Sequence, residues 1–189
     1  MSTWLVAHGR RDLDAVAEAL RSVDHDAVAL QSLERSDVEH LADALGMHHE
    51  WEASHHPRSR LLVGSAVGLA ILSPHRIDGS TSTVINEHAS LWSTERRIAQ
   101  VATVTRSDHS AYSIGHALGA VPTDAVPSHA APFVEIRPEQ VDHDAQRAIG
   151  LPTGATTVET TTSRPIDHVA ALLTVTFDMP WVQGDFPVA

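Results

Sequence analysis

The stretch Asp26–Arg35, DAVALQSLER, decides the fold. Ala27 to Leu30 is a short apolar run that ends at the polar pair Gln31-Ser32. A run of this kind behind a helix-like segment predicts a buried parallel strand, with the chain's chemistry at its C-terminal end. In open α/β sheets that end borders the crevice where ligands bind. Gln31 and Ser32 are therefore the first polar groups expected at a site, and the residue at Ser32 carries the functional question.

Outward from this strand, the flanking sequence alternates between two periods. Ser2 to Ala7 (STWLVA) is apolar and β-prone, and His8-Gly9-Arg10-Arg11 makes a turn. Asp12 is an N-cap candidate for a helix that places Ala15, Val16, Ala19, Leu20 and Val23 at helical spacing. Beyond the organising strand, Ser36 and Glu39 have capping-box spacing, and the helix they open is expected to end at Gly46. The order β-α-β-α begins an α/β layered domain.

The second part of the chain reads as strands. Short β-prone pieces run over His48–Ser54, Arg60–Val63, Val67–Leu72 and Arg76–Ile85. Ile98–Thr105 and Ala111–His116 form an antiparallel pair joined through Arg106-Ser107-Asp108-His109. Val121–Pro132, with three prolines, is a surface loop, and Arg137–Ile149 reads as a polar helix ended by Gly150. Thr153–Ser163 is an exposed strand or loop, and Ile166–Thr176 and Phe186–Ala189 complete the strand set. No linker or repeat divides residues 1–189, so one domain is expected.

Composition removes several classes of function. The chain has no cysteine, which excludes disulfides and thiolate metal sites. All 13 basic residues are Arg, and the net charge of -11 argues against a generic nucleic-acid surface. No apolar run has membrane-spanning length, and Arg10-Arg11-Asp12 interrupt the first apolar segment too early for a signal peptide. The expectation is a soluble cytoplasmic protein whose partner, if it has one, is another protein.

The ordered series of segments resembles the endonuclease/exonuclease/phosphatase superfamily, the DNase I-like fold. The segments that carry the likeness are Thr3–Gly9, Asp12–Leu20, Asp26–Gln31, Ala42–Met47, Ala70–Ser73, Glu95-Arg96-Arg97, Ile114-Gly115-His116, Ile166–Val169 and Asp185–Ala189. No single piece is specific; their order over nearly the whole chain is. The resemblance implies an α/β layered sandwich, with two mixed β-sheets packed face to face and helices outside. It also implies Mg²⁺-assisted phosphoester hydrolysis, in which a carboxylate holds the metal and a His–Asp pair positions water and phosphate.

Carried over residue by residue, that chemistry is mostly missing. Ser32 stands where the metal-binding Glu follows Leu-Gln, and Leu5 and Leu69 stand at two Asn positions. Phe186 replaces the closing His. The residues that survive as catalytic candidates are His116, Asp167 and Asp185, and Arg96, Gln31 and Ser32 are the substrate-contact candidates. A neutral hydroxyl is a poor anchor for a hard cation, and groups of this kind act as a unit. The resulting expectation is a non-catalytic binding or interaction module without cofactor. The alternative is a divergent Mg²⁺ phosphoesterase in which Asp26, Asp167 or, foremost, Glu34 has taken over the metal. On a regular strand Glu34 shares a face with Ser32. The pairs His48-His49 and His55-His56 also invite a metal reading, with one member of each meeting across a hairpin.

Overall fold

The computed structural model describes residues 2–6, 13–21, 26–57, 66–90, 93–117, 133–136, 149–150, 157–165, 171–178 and 182–183. Its first part follows the expected order: β1 (Ser2–Val6), α1 (Leu13–Arg21), β2 (Ala27–Glu34) and α2 (Arg35–Leu45). Strands β3 (His48–Pro57), β4 (Val67–Ser73), β5 (Arg76–Ala89), β6 (Ser93–Thr105) and β7 (Ser110–Ala117) come next. The last are β8 (Phe133–Ile136), β9 (Ile149–Gly150), β10 (Thr157–Pro165), β11 (Ala171–Asp178) and β12 (Val182–Gln183).

These strands make a mixed, sheet-dominated fold. Strands β1 and β2 are parallel, as are β7 and β8, and the remaining pairs are antiparallel. The expected mixed pairing is present, and the strands are joined in one hydrogen-bonded sheet. Hydrogen bonding is continuous over a 12-stranded sheet, with the path β10-β11-β1-β2-β4-β3-β6-β7-β8-β9, β5 added beside β6 and β12 beside β7. The join is narrow: His55, His56 and Pro57 at the end of β3 pair with Glu95, Thr94 and Ser93 at the start of β6. The end of β3 and the start of β6 meet there and make the path continuous.

The helices cover one face of β2 and β4. Helix α1 turns Val16, Ala17 and Leu20 inward and α2 turns Val38, Leu41 and Ala42 inward, all buried. They meet Val28, Leu30 and Leu33 of β2 and Ala70 and Leu72 of β4 in one apolar cluster. The opposite faces of these strands, Ala27, Ala29 and Leu69 with Ile71, are also fully buried, and β4 lies against β6. Burial on both faces explains why β2 and β4 read as unbroken apolar runs rather than alternating ones.

Helix α2 ends as predicted. Gly46 adopts the left-handed conformation (φ 66°), its N–H donates to Asp43 O at 3.2 Å, and that of Met47 donates to Ala42 O at 2.9 Å. The start differs. Glu34, not Ser36, is the N-cap residue, and no side chain caps the helix. The chain passes from β2 into α2 without a loop, so the helix begins at Arg35 and Ser36 already lies inside its first turn. Instead Arg35 and Glu39 pair along the exposed side at 2.9 Å.

Of the other expectations, the β6–β7 hairpin is present with its turn at Arg106–His109; His109 has φ 64° and its N–H donates to Arg106 O at 3.0 Å. Asp108 secures the turn by accepting from the Ser110 hydroxyl at 2.6 Å and the Ser110 N–H at 2.9 Å. Thr157–Pro165 is a strand at one end of the path. The expected polar helix is corrected at its last residue, since Ile149 pairs with Ile136 in β9; residues 137–148 lie outside the described residues, as do the pieces at 60–63, 121–132 and 186–189.

Candidate functional site

Strand β2 has two chemically different ends, and Asp26, Gln31, Ser32 and Glu34 divide between them. At its start Asp26 is held from several sides. Its carboxylate accepts from the Arg106 guanidinium and lies 3.2 Å from His75 Nε2, while its carbonyl accepts from the Ser73 hydroxyl at 2.6 Å. The same hydroxyl accepts from the His75 N–H at 3.0 Å. Burial pushes the Asp26 carboxyl up, but the hydrogen bond and charge of Arg106, with the hydrogen bond to His75, outweigh it and hold the group below the usual carboxylate range. This arrangement ties β2 and β4 to the β6–β7 turn. It occupies the carboxylate that the enzyme alternative had offered to a metal, at the end of the strand away from Ser32.

The other end departs from the expected geometry. Strand β2 does not stop at Gln31-Ser32 but continues to Glu34 through a bulge. Gln31 pairs with Leu69 and Leu33 pairs with Gly68, which leaves Ser32 as the extra residue, with φ 54° in the left-handed region. The bulge resets the alternation. Leu33, three residues after Leu30, joins the helix-facing cluster, so Glu34 follows on the face of Gln31. The premise that placed Glu34 beside Ser32 on a regular strand therefore fails.

A second irregularity sits directly across. Strand β3 shifts register between Ala53 and His55, so Gly68 faces Leu33 on one side and Ala53 on the other with a bulge beside each. The backbones approach so closely that a Cβ on Gly68 would lie 2.0 Å from Glu52 O. Trp51 Nε1 reaches across to donate to Leu33 O at 3.0 Å, and Ser54 Oγ donates to Val67 O at 3.2 Å. This end of the sheet is locked by packing and backbone bonds.

The remaining candidates are scattered. Gln31 is fully buried and Ser32 and Glu34 are half-buried. Arg96, on β6, donates to Glu87 Oε2 at 2.8 Å across the β5–β6 hairpin. His116 lies near the end of β7, paired with Gln100 and with Ile136, and its side chain is outside the described part. Asp167, Asp185 and Phe186 lie outside the described residues. His48-His49 and His55-His56 do not face each other across a hairpin: all four sit on β3, near its opposite ends. Buried Gln100, missed in the sequence, donates from Nε2 to Glu50 O and to Ser80 Oγ, both at 3.4 Å. Its position inside the Ile98–Thr105 run was the one available signal.

The whole architecture has counterparts among solved structures. An endonuclease/exonuclease/phosphatase family protein from Leptotrichia buccalis C-1013-b superimposes with a TM-score of 0.63 at 10% identity, over 95% of this chain and 100% of that one. The endonuclease/exonuclease/phosphatase from Beutenbergia cavernae DSM 12333 gives 0.67 at 14% identity, over 94% and 71%. The human Nocturnin catalytic domain with bound sulfate anion gives 0.59 at 10% identity, over 93% and 94%. The chain has the endonuclease/exonuclease/phosphatase fold. No protein-family model matches its sequence, and no curated protein sequence does.

Within the endonuclease/exonuclease/phosphatase fold, the resemblance puts the metal anchor at Ser32 and a polar phosphate contact at Leu69. The residues present do not fit that role. Ser32 offers a neutral hydroxyl, a weaker anchor for Mg²⁺ than carboxylate oxygen, and Leu69 is apolar and fully buried. Among the described residues, no group of three or more His, Asp or Glu side chains stands ready to hold a metal ion. No helix among them is long and apolar enough to cross a membrane.

Proposed function

We propose that this protein uses the endonuclease/exonuclease/phosphatase fold, with its two mixed sheets as packed layers, as a non-catalytic binding or interaction module in the cytoplasm. The observation that carries the reading is the end of β2. The position that the resemblance gives to a metal-binding carboxylate is a serine, the extra residue of a bulge, beside buried Leu69. Phosphoester hydrolysis on this fold depends on charge neutralisation at the phosphoryl oxygens, and removal of the anchor removes most of it. The acidic balance of the chain, -11, favours a protein partner over a nucleic acid.

Hydrolysis of bis(p-nitrophenyl) phosphate in millimolar Mg²⁺ tests the proposal. The native chain is expected to give the buffer rate, and so is Ser32→Glu, because the second and third polar positions are also lost. Turnover by the native chain that His116→Ala abolishes contradicts the proposal and returns the alternative, a phosphoesterase with Glu34 as relocated ligand.

A further inference from the structure

Strand β5 forms a margin of the sheet. Among the described residues it pairs only with β6, so its other edge directs alternate backbone N–H and C=O groups away from the sheet. It is 14 residues long, and most of them are exposed. Bulges at Asp78 and Ile85 interrupt its pairing with β6, and the stretch between them, Gly79–Val84 (GSTSTV), is regular. From Gly79 to Asn86 the strand carries no charged side chain and no proline. Edge strands are ordinarily protected by charge, by proline or by brevity, and this one has none of these; its two bulges only bound the strip. Val84, inside the strip, is 49% exposed and is the one exposed large hydrophobic side chain among the described residues.

The strip is complementary to itself. In an antiparallel pair of identical strands related by a two-fold axis through the sheet, one residue faces its own copy, and positions equidistant from it face each other. Centred on Ser82, the pairing sets Thr81 against Thr83 of the second copy and Ser80 against Val84, each twice. All of these pairs stay between the two bulges, β-branched Thr stands opposite Thr, and both copies of Val84 are covered. Centring on Thr81 instead sets Val84 against the bulged, charged Asp78. Charge selects the same place. Each chain carries -11, so two copies repel wherever acidic groups meet, and the uncharged strip lets them approach. We propose that two copies of this chain associate through β5, edge to edge and antiparallel, about a two-fold axis at Ser82. Each β5 has one free edge, so the association closes at two copies. It uses no residue at the finishing end of β2, so it stands or falls separately from the proposed loss of hydrolysis.

The experiment is sedimentation equilibrium of the full chain at about 0.15 M salt, where charges more than about 8 Å apart are largely screened. A strip this short buries less than a standard interface, so the series runs up to about 1 mM protein. The native chain is expected to pass reversibly from one copy to two. Ser82 is exposed, so Ser82→Lys and Ser82→Glu fold, which far-UV circular dichroism checks. Each variant alone sets like charges directly opposite one another and should weaken the dimer roughly fivefold or more. An equimolar mixture of the two sets Lys against Glu and should restore association. A native chain that stays single over the whole range overturns the proposal. So does a dimer that neither variant weakens, which forms through another surface, or a mixture that associates no more tightly than either variant alone.

Discussion

The two ends of β2 have kept different things. At its start, Asp26 holds Arg106 and His75 and links elements far apart in sequence. At its finish, where the resemblance calls for charge, the chain presents Ser32 in a bulge, flanked by buried Leu33 and Leu69. The polar groups at the starting end link separate elements, and the finishing end presents Ser32 and buried Leu69 where the resemblance expects polar groups that serve hydrolysis. On the proposed reading, the fold has outlasted its chemistry because stability and catalysis draw on opposite ends of the same strand.

The finishing end is expected to be the more fragile, because backbone packs against backbone there. Gly68→Ala puts a Cβ 2.0 Å from Glu52 O, which cannot yield without moving β3. A loss of about 3 kcal/mol or more is expected. In thermal denaturation this is a fall of about 6–12 °C for a chain of this size. A fall under 2 °C means that β3 and β4 are farther apart than described.

The starting end should respond less, and with a pH signature. The Asp26 and Arg106 side chains keep 14% and 29% of their surface, so the pair is only partly screened. Asp26→Ala strands the guanidinium and should cost about 2–3 kcal/mol. The folded-state pKa of Asp26 is depressed, so its contribution is complete above the ordinary value of about 3.9 and is lost as pH falls through the lower folded value. The gap in melting temperature between native and Asp26→Asn chains should narrow below about pH 4. A gap that widens there contradicts the assignment.

The smallest effect separates backbone from hydroxyl at Ser32. Its positive φ costs a non-glycine residue about 1 kcal/mol or more, so Ser32→Gly should raise stability by about 0.5–1 kcal/mol and Ser32→Val should lower it by about 1–2 kcal/mol. Denaturant midpoints read both. Equal losses in the two variants mean that the hydroxyl, not the conformation, sets this position.

Much of the fold was legible because it rests on local pattern. The apolar run of β2 announces a buried strand, β4 reads as a strand, helical spacing gives α1, and Gly46 marks the end of α2. The bulge at Ser32 was not legible. It depends on the approach of β3 and β4 around Gly68, a contact between strands that no single segment encodes. The same holds for the β3–β6 join, made by three residue pairs at strand ends, and for the capping of α2, where a correct Ser36/Glu39 spacing lost to the preceding strand's continuation through Glu34. At the site, sequence identified the substitutions but not the company each residue keeps. Asp26 was offered to a metal and is bound to Arg106, and Arg96 was offered to phosphate and is bound to Glu87.

The central claim, that this endonuclease/exonuclease/phosphatase fold has lost its hard-metal site, is tested most directly by calorimetric titration of the native chain with Mg²⁺. No saturable heat up to millimolar Mg²⁺ is the predicted result. Saturable binding of one Mg²⁺ per chain that Glu34→Gln abolishes would contradict it, and would place a working carboxylate at the bulged end of β2 after all.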